Sequence, residues 1–279
     1  MCCSVDPPPV KHYENFPVAS VLLPVRMRAP VRTIYAFARH ADDIADEGDV
    51  SAAERLAQLS RLRTELDCIS IGNEPDIPLF RVLKEMISRQ RLPLEPFYHL
   101  LDAFTQDVTK QRYANFNEVL DYCSRSANPI GRLLLHLYGA EDQDNTRYSD
   151  AICSSLQIIN FLQDIAVDYK KGRIYLPEDE LARFGVVESM IARGERGEGW
   201  QRFMTFQIER AQKMLVAGQP LGRILKGRIG LELRVIIAGG QRILEKLAAA
   251  NGDVFTRRPV LRSPDWAIMF GRALLGTSD

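Results

Sequence analysis

Residues 160–168 read Asn-Phe-Leu-Gln-Asp-Ile-Ala-Val-Asp, and every residue between the polar ones is apolar. The polar residues follow one another at intervals of three, one and four, so in an α-helix Asn160, Gln163, Asp164 and Asp168 share one face. Apolar residues recur at three- and four-residue intervals through most of the chain, and alternating β-branched runs are nearly absent. The sequence therefore predicts an all-α protein.

No shift in composition, long linker or repeat of fixed period divides the chain. We expect one helical domain over 13–279, preceded by a disordered leader over 1–12 that contains three consecutive prolines. The predicted helices are 17–25, 30–47, 51–69, 77–91, 94–109, 116–138, 147–169, 178–193, 198–216, 219–248 and 264–274.

The composition sets limits on function. The 279 residues suffice for a large core, and 36 Lys and Arg balance 36 Asp and Glu, so no overall field attracts nucleic acid or an anionic membrane. Five scattered cysteines without a CxxC pair argue against a disulfide framework or zinc knuckle. No apolar run approaches the length of a membrane span, and no secretory signal is recognisable. These features favour a cytoplasmic protein.

A second acidic stretch lies at residues 39–47, Arg-His-Ala-Asp-Asp-Ile-Ala-Asp-Glu. It places four acids within six positions near the end of a predicted helix, where the helix dipole disfavours negative charge. Asp42 and Asp46 lie one turn apart, a spacing at which like charges destabilise a helix. A solvated acidic face would explain one such cluster, but the presence of two indicates a site that supplies positive charge.

The carboxylates of the two clusters suggest a metal site. Asp164 and Asp168 stand among apolar residues, and an unpaired buried charge costs several kcal/mol. Two pairs of carboxylates on facing helices would supply oxygen ligands without filling the coordination shell of a metal ion. Mg²⁺ suits this arrangement because it keeps several waters and accepts phosphate oxygens. The pattern therefore favours Mg²⁺ and a diphosphate substrate. The four histidines show no metal-binding spacing.

Arginines next to both clusters are candidates for phosphate contacts. Arg39 precedes Asp42 by three residues, and Arg173 follows Asp168 by five. Each arginine could bind phosphate or only neutralise its acidic neighbours, and the sequence leaves both roles open.

A third motif lies between the two acidic clusters. Residues 122–131 read Tyr-Cys-Ser-Arg-Ser-Ala-Asn-Pro-Ile-Gly. Pro129 removes a helical hydrogen bond and predicts a kink, a feature often found next to a functional site. Tyr122 offers a hydroxyl group and a π face to a cationic intermediate, although a lone tyrosine is also common in a core.

Together these motifs resemble those of the squalene and phytoene synthases. Residues 35–47 resemble the first aspartate-rich motif of that family, and residues 160–168 with 172–177 resemble the second. The tyrosine motif between them is represented by residues 122–131. The resemblance runs from about residue 13 to residue 272, with the three motifs in the family's order.

The resemblance implies an isoprenoid synthase fold with a central cavity in which both aspartate motifs hold Mg²⁺ ions that bind and release diphosphate. It makes the four aspartates both catalytic residues and metal ligands, with Asn160 as a further ligand. Tyr122 would be catalytic and would face the intermediate with Tyr35. The resemblance thus implies Asp42, Asp46, Asp164, Asp168 and Asn160 for metal, Tyr122 for catalysis, and Tyr35 and Asn160 for substrate. Arg39, Gln163 and Arg173, chosen from their positions beside the acidic clusters, complete the candidate substrate-binding residues.

Several positions depart from the usual family pattern. Val167 stands where many relatives have an acid, Gln163 where they have arginine, and Asn128-Pro129 where they have small residues. With residues 12–17, His-Tyr-Glu-Asn-Phe-Pro, these choices resemble the hopanoid-pathway subgroup of hydroxysqualene synthases, which hydrate presqualene diphosphate to hydroxysqualene. Gln163 or Asn128 would then hold the attacking water or serve as a structural amide.

Other functions remain open at this stage. The same fold condenses prenyl diphosphates head to head to presqualene diphosphate, squalene or phytoene, although no GxGxxG fingerprint for a hydride-donating dinucleotide is present. A non-catalytic assembly factor is a second alternative, but such a protein would be expected to lose its metal carboxylates, and both aspartate pairs are present here. A terpene cyclase is a third, but it usually combines one aspartate-rich motif with a different second metal motif, and the two clusters here are alike.

Contact with a membrane is a further hypothesis, because a long hydrocarbon product must leave into a bilayer. Residues 231–247 are hydrophobic enough to be considered for peripheral contact, but a core helix is the simpler interpretation. The oligomeric state is not readable from the sequence.

Overall fold

The computed structural model describes residues 22–275, so the leader predicted over 1–12 lies outside the described residues. Within this range the chain forms thirteen α-helices and no β-strand, which confirms the all-α prediction. In chain order the helices are α1 Val25–Asp46, α2 Ala52–Ser70, α3 Pro78–Gln90, α4 Glu95–Thr109, α5 Phe116–Ser126, α6 Asn128–Tyr138, α7 Gln143–Lys170, α8 Glu178–Arg183, α9 Glu188–Arg193, α10 Glu198–Gly218, α11 Leu221–Ile224, α12 Gly227–Ala249 and α13 Ser263–Leu275.

Three of the predicted helices are each two helices. The predicted kink near Pro129 is confirmed as a break at Ala127, between α5 and α6. Predicted helix 178–193 divides after α8, where Gly185 has a φ of 69° that few residues other than glycine adopt. Predicted helix 219–248 divides before Gly227, whose φ is 67°.

The start of α1 was predicted wrongly. Most of predicted helix 17–25 lies outside the described residues, and residues 22–24 form a turn that leads into α1 at Val25. The helix then continues through Pro30, where the sequence suggested a start. Tertiary packing accounts for this, since Pro30 lies on the buried face of the helix.

Two hydrophobic clusters flank the middle of the molecule. One is formed mainly by α1, α2, α3 and α4, and the other by α5, α7, α10, α12 and the segments that join them. The 28-residue helix α7 packs against α5, α6, α10 and α12, and α1 packs against α2, α3, α4 and α6. The acidic ends of α1 and α7 thereby border one central cavity.

Residues 231–247 lie within α12 and contribute to the core. Val235, Ile237, Ile243, Leu244 and Leu247 are buried, so the core interpretation of this segment is confirmed. Among residues 22–275, no helix combines the length and the apolar character that crossing a membrane requires.

One buried acid, Asp265, contributes to the attachment of α13 to α12. Asp265 accepts from Arg242 Nε and Lys246 Nζ, each at 2.7 Å, and from the backbone N–H of Arg262 at 2.7 Å. Burial alone would raise the pKa of Asp265, but the bonds from Lys246 and Arg242 outweigh it and lower the pKa to about 2.

We expect Asp265→Asn to lower the free energy of unfolding by about 2 kcal/mol, below the range for deeply buried pairs because both cations keep some exposure. Because the folded pKa lies below the unfolded value near 4, this contribution is present above pH 4 and is lost as the pH falls toward 2. Urea unfolding at pH 7 and pH 3 measures it. Glu85→Gln, which breaks an exposed pair with Arg89, should cost under about 0.5 kcal/mol. Equal losses for both variants at pH 7 would contradict the assignment.

Candidate active site

A cavity of about 740 Å³ opens between α1 and α7. Its lining includes residues of α1, α4, α5, α7, α12 and the segment that follows α7. Eight of the ten side chains selected from the sequence line it together: Arg39, Asp42, Asp46, Tyr122, Asn160, Asp164, Asp168 and Arg173.

The two carboxylates of α1 differ in their partners. Asp42 accepts from Arg39 at 3.0 Å, but burial and the nearby charge of Asp46 raise the pKa of Asp42 to about 7. Asp46 pairs with Lys171 at 2.7 Å and Arg173 at 2.6 Å. Burial alone would raise the pKa of Asp46, but the pairs with Lys171 and Arg173 outweigh it and lower that pKa. At neutral pH the pair therefore combines one firmly ionised carboxylate with one that is readily protonated.

The two carboxylates of α7 also differ in their partners. Asp164 accepts two hydrogen bonds from the guanidinium of Arg258, the one to Oδ2 at 3.0 Å. Burial and the neighbouring charge of Asp164 raise the pKa of Asp168 to about 7. Each wall of the cavity thus carries one carboxylate paired with at least one cation, Asp46 or Asp164, and one turn away a carboxylate whose pKa is raised by burial, Asp42 or Asp168.

The four carboxylates fit an Mg²⁺ ion whose coordination shell is completed by substrate oxygens and waters. No three acidic, histidine or cysteine side chains among residues 22–275 converge closely enough to hold a metal ion alone. Mg²⁺ is commonly bound by one or two carboxylates together with waters and substrate phosphates. A pair of carboxylates on each wall meets that requirement, and a cation would favour the ionised forms of Asp42 and Asp168.

Asp107 of α4 also lines the cavity, and the sequence analysis did not select it. Its carboxylate is buried and accepts from the hydroxyls of Tyr122 at 2.7 Å and Tyr175 at 2.8 Å. Burial raises the pKa of Asp107 to about 6, although both hydrogen bonds oppose the rise. Burial and the charge of Asp107 raise the pKa of Tyr122 well above its usual value. The Tyr122 hydroxyl is thus a protonated donor and not a base.

The chain returns to the cavity directly after α7. Gly172, with a φ of 81°, reverses its direction, and Arg173 N–H donates to the Asp168 carbonyl at 2.9 Å. Further along, Ile174 N–H donates to the Gln111 carbonyl at 2.9 Å. These bonds direct Arg173 and Tyr175 into the cavity, where the Tyr175 ring stacks on Phe161 at 4.0 Å between centroids.

A second cavity of about 370 Å³ adjoins the first and is almost entirely apolar. Leu156 of α7 lines both cavities. Tyr35, which the resemblance placed near the intermediate, lines this second cavity and not the one with the carboxylates. A charged cavity and an apolar cavity therefore lie side by side.

Two amides selected from the sequence lie elsewhere. The Gln163 side chain is buried and donates to the Pro259 carbonyl at 2.7 Å. Asn128 is buried and accepts from Ser154 at 2.8 Å. Neither residue is among those that line the two cavities. Their position corrects the prediction of a substrate contact for Gln163 and favours the structural-amide alternative for both.

Helix geometry explains why Gln163 does not line the cavity with Asp164 and Asp168. At about 100° per residue, positions 163 and 168 are about 140° apart around α7, so the shared polar face is wide. Asp164 and Asp168 point to the cavity while Gln163, at the edge of that face, meets the segment at Pro259.

Two cations of the site lie where the sequence gave only weak signals. Lys171 follows Asp168 by three residues and was not selected from the sequence, yet it pairs with Asp46 of the opposite helix. Arg258 lies about ninety residues beyond α7 in a segment without helical periodicity, so no local pattern could have associated it with Asp164. The three described histidines, His40, His99 and His136, line neither cavity.

Comparison with known proteins gives the class of protein that this fold and site define. Residues 10–265 match the family model "Squalene/phytoene synthase". The chain belongs to the squalene/phytoene synthase family.

Among individual members of the family, the chain is similar to hydroxysqualene synthases and to phytoene synthases. The chain is 36% identical over 236 residues to a hydroxysqualene synthase of Rhodopseudomonas palustris, covering 84% of this chain and 79% of that protein. A hydroxysqualene synthase of Sinorhizobium fredii is 34% identical with the same coverage. A phytoene synthase of Arthrospira platensis is 28% identical, covering 93% and 87% of the two chains.

Solved structures share the fold. A crystal structure described as squalene synthase HpnC from Alicyclobacillus acidocaldarius superposes with a TM-score of 0.80 at 35% identity, covering 86% of this chain and 90% of that one. A dehydrosqualene synthase bound to a ligand gives a TM-score of 0.83 at 20% identity, covering 92% and 89%. The isoprenoid synthase fold expected from the sequence is confirmed.

Proposed function

We propose that this protein is a hydroxysqualene synthase, an enzyme that converts presqualene diphosphate and water to hydroxysqualene and diphosphate. The observation that carries the proposal is that two cavities adjoin at Leu156, one lined by two carboxylate pairs and four cations and the other mainly by hydrocarbon side chains. A substrate with a diphosphate head and long isoprenoid arms matches this division.

Asp42, Asp46, Asp164 and Asp168 would hold Mg²⁺, with Asn160 as a further oxygen donor on the same helix. When bound, Mg²⁺ neutralises the charge that develops on a departing diphosphate. Asn160 is exposed to the cavity, in agreement with such a role.

The cations of the cavity would bind the diphosphate oxygens. Arg39, Lys171, Arg173 and Arg258 all line this space, and each is paired with a carboxylate. These pairs hold the cations in place before substrate arrives. Arginine binds phosphate in a bidentate manner, which fixes its orientation as well as its charge.

The reaction breaks the C–O bond between the substrate and diphosphate, and the electron pair leaves with the diphosphate. The resulting cyclopropylcarbinyl cation rearranges by ring opening. The oxygen of a water molecule forms a new C–O bond, and the proton released from that water passes to the diphosphate. Rings of Tyr122, Phe161 and Tyr175 line the cavity and would stabilise the cation through their π faces.

The apolar cavity would hold an isoprenoid arm and exclude bulk water. Its lining includes Ile34, Leu134, Leu135, Ile152 and Leu233. Excluding water limits premature capture of the cation, so that water reaches it only at the polar end.

Two observations favour hydration over the alternatives. Hydroxysqualene synthases of three bacteria are 33–36% identical over 84% of this chain. Phytoene synthases are 28% identical over 93% of it in Arthrospira platensis, or 34% identical over only 62% of it in Mycobacterium tuberculosis. Both aspartate pairs are present and line one cavity, which is not expected of a non-catalytic assembly factor. We further propose that the enzyme acts in the cytoplasm at the inner membrane face, because its product is a hydrocarbon alcohol.

Product analysis tests this proposal. We expect purified protein with Mg²⁺ to convert presqualene diphosphate to hydroxysqualene, identified by mass spectrometry, and to leave farnesyl diphosphate unchanged. Formation of presqualene diphosphate, squalene or phytoene from prenyl diphosphates would instead assign the protein to the condensing enzymes. Turnover of neither substrate would favour the assembly factor.

A further inference from the structure

A surface groove of about 550 Å³ lies where the C-terminal turn of α10, the short helix α11, α12 and the end of α13 meet. Three arginines, Arg223, Arg234 and Arg272, contribute to its lining, and no acidic residue does. Val216 and Ile224 supply apolar walls. The groove is therefore basic and apolar at once.

The charge around this groove is unbalanced although the whole chain is neutral. Residues 221–234 contain four basic residues and one acid, Glu232, which lines the apolar cavity inside. Lys226 and Arg228 are exposed. Arg272 is offset in part by Glu245, which accepts from it at 2.5 Å, while Arg234 donates to the carbonyls of Gly222 and Ala273.

Large apolar side chains are exposed on the same face. Ile224 is 46% exposed and Val216 45% exposed beside the basic residues. Leu274 and Leu275, which follow the groove residue Ala273 directly on α13, are 72% and 77% exposed. We name this face the α11 face: the groove together with Lys226, Arg228, Leu274 and Leu275.

Helix α11 separates the α11 face from the apolar cavity. Leu221 and Leu225 line the apolar cavity, while Arg223 and Ile224 between them line the groove. On α12, Ile236 lines the apolar cavity and Ile237 the groove. The four-residue helix α11, together with Leu225 and part of α12, thus forms the wall between the apolar cavity and this face.

We propose that the α11 face docks on a bilayer that contains anionic phospholipid, and that the hydrocarbon product leaves the apolar cavity past α11 into that bilayer. Basic side chains attract the anionic surface, and exposed apolar side chains insert at the interface. Membrane docking is inferred from the charge and exposure of the α11 face alone, whereas the exit route for the product rests on the proposed function.

Vesicle flotation tests the docking. The intact protein should float with vesicles of phosphatidylcholine and phosphatidylglycerol, bind pure phosphatidylcholine at least tenfold less, and dissociate as salt is raised. The triple variant Ile224→Ser, Lys226→Glu, Arg228→Glu should bind the anionic vesicles at least tenfold less, because each basic residue near the surface contributes about fivefold. All three side chains are exposed, and melting temperature checks that the fold is kept.

A matched control replaces one exposed isoleucine by serine and two exposed basic residues by glutamate on other faces. Ile71→Ser, Arg61→Glu and Arg202→Glu also alter three exposed positions and should leave flotation within twofold of the unaltered protein. Failure of the unaltered protein to float, or equal losses for both triple variants, would overturn the proposal. So would a dimer in sedimentation that only the α11-face variant dissociates, because a second copy would then cover this face. Flotation needs no turnover, so its outcome is independent of the proposed chemistry.

Turnover measured in micelles and in vesicles tests the exit route separately. With presqualene diphosphate in detergent micelles, the α11-face variant should turn over at the rate of the unaltered protein, because none of its altered residues lines the catalytic cavity. With anionic vesicles as the only acceptor, multiple-turnover hydroxysqualene formation should fall at least fivefold in the variant. Equal rates in vesicles would overturn the exit route.

Discussion

Replacing Asp42 or Asp168 by asparagine is expected to lower turnover of presqualene diphosphate at least about a thousandfold. Each carboxylate belongs to a pair that would hold Mg²⁺ at the departing diphosphate, and such charge stabilisation is worth several kcal/mol in the transition state. Tenfold in rate corresponds to about 1.4 kcal/mol. Steady-state release of diphosphate measures the loss.

The same substitutions should not weaken the fold. Burial raises the pKa of Asp42 and Asp168 to about 7, above the unfolded value near 4. The metal-free protein therefore loses stability as the pH rises from about 4 to about 7, since folding holds on to protons that the unfolded chain releases. Asparagine removes this penalty. The melting temperature in EDTA should exceed that of the unaltered protein at pH 8, and the difference should shrink at pH 5.

Asp102→Asn is the matched control, because Asp102 forms an exposed pair with Arg63 away from the cavity. It should leave turnover within twofold and the melting temperature almost unchanged. If Asp42→Asn retained more than a tenth of the activity, the assignment of Asp42 to a metal site would be contradicted. If it melted lower than the unaltered protein in EDTA at pH 8, the conclusion that burial disfavours the ionised form of Asp42 would be contradicted.

Filling the apolar cavity should have the second largest effect. Ala38 of α1 lines this cavity and not the one with the carboxylates. Ala38→Phe would occupy space meant for an isoprenoid arm and displace several methylene groups, each worth about 0.8 kcal/mol of burial. We expect kcat/KM for presqualene diphosphate to fall about a hundredfold, with most of the change in KM.

Leu134→Phe, on α6 in the lining of the same cavity, is the control because it exchanges one large apolar side chain for another and should change kcat/KM less than fivefold. Magnesium-dependent binding of inorganic diphosphate should be the same in both variants. A change in that binding would mean that Ala38→Phe had disturbed the polar site, and an unaltered KM would show that the arm lies elsewhere.

Local periodicity was enough to predict most of the fold. The helix that carries Asp164 and Asp168 was predicted as 147–169 and is observed as Gln143–Lys170, since a long apolar stripe leaves few alternatives. Breaks were harder to place, because residues such as Gly227 act through a positive φ that no hydrophobic pattern reveals.

The site was predictable where its residues lie in dense motifs. Asp42, Asp46, Asp164 and Asp168 were selected because clustered acids without local compensation are costly, and the fold brings all four to one cavity. Asp107 was missed because it belongs to no dense acidic motif, and its importance follows only from the two tyrosine hydroxyls that reach it from other segments. Gln163 was included because a helical face is wide, and only the neighbouring Pro259 segment shows which edge is buried.

The most direct test of the account is the release of inorganic diphosphate from presqualene diphosphate, measured with Mg²⁺ and again after its removal with EDTA. The account predicts rapid release with Mg²⁺, at least a hundredfold less in EDTA, and restoration when Mg²⁺ is added back. Release at an equal rate in EDTA, or none from the unaltered protein with Mg²⁺, would contradict the claim that the paired carboxylates form a magnesium-dependent site for an isoprenoid diphosphate.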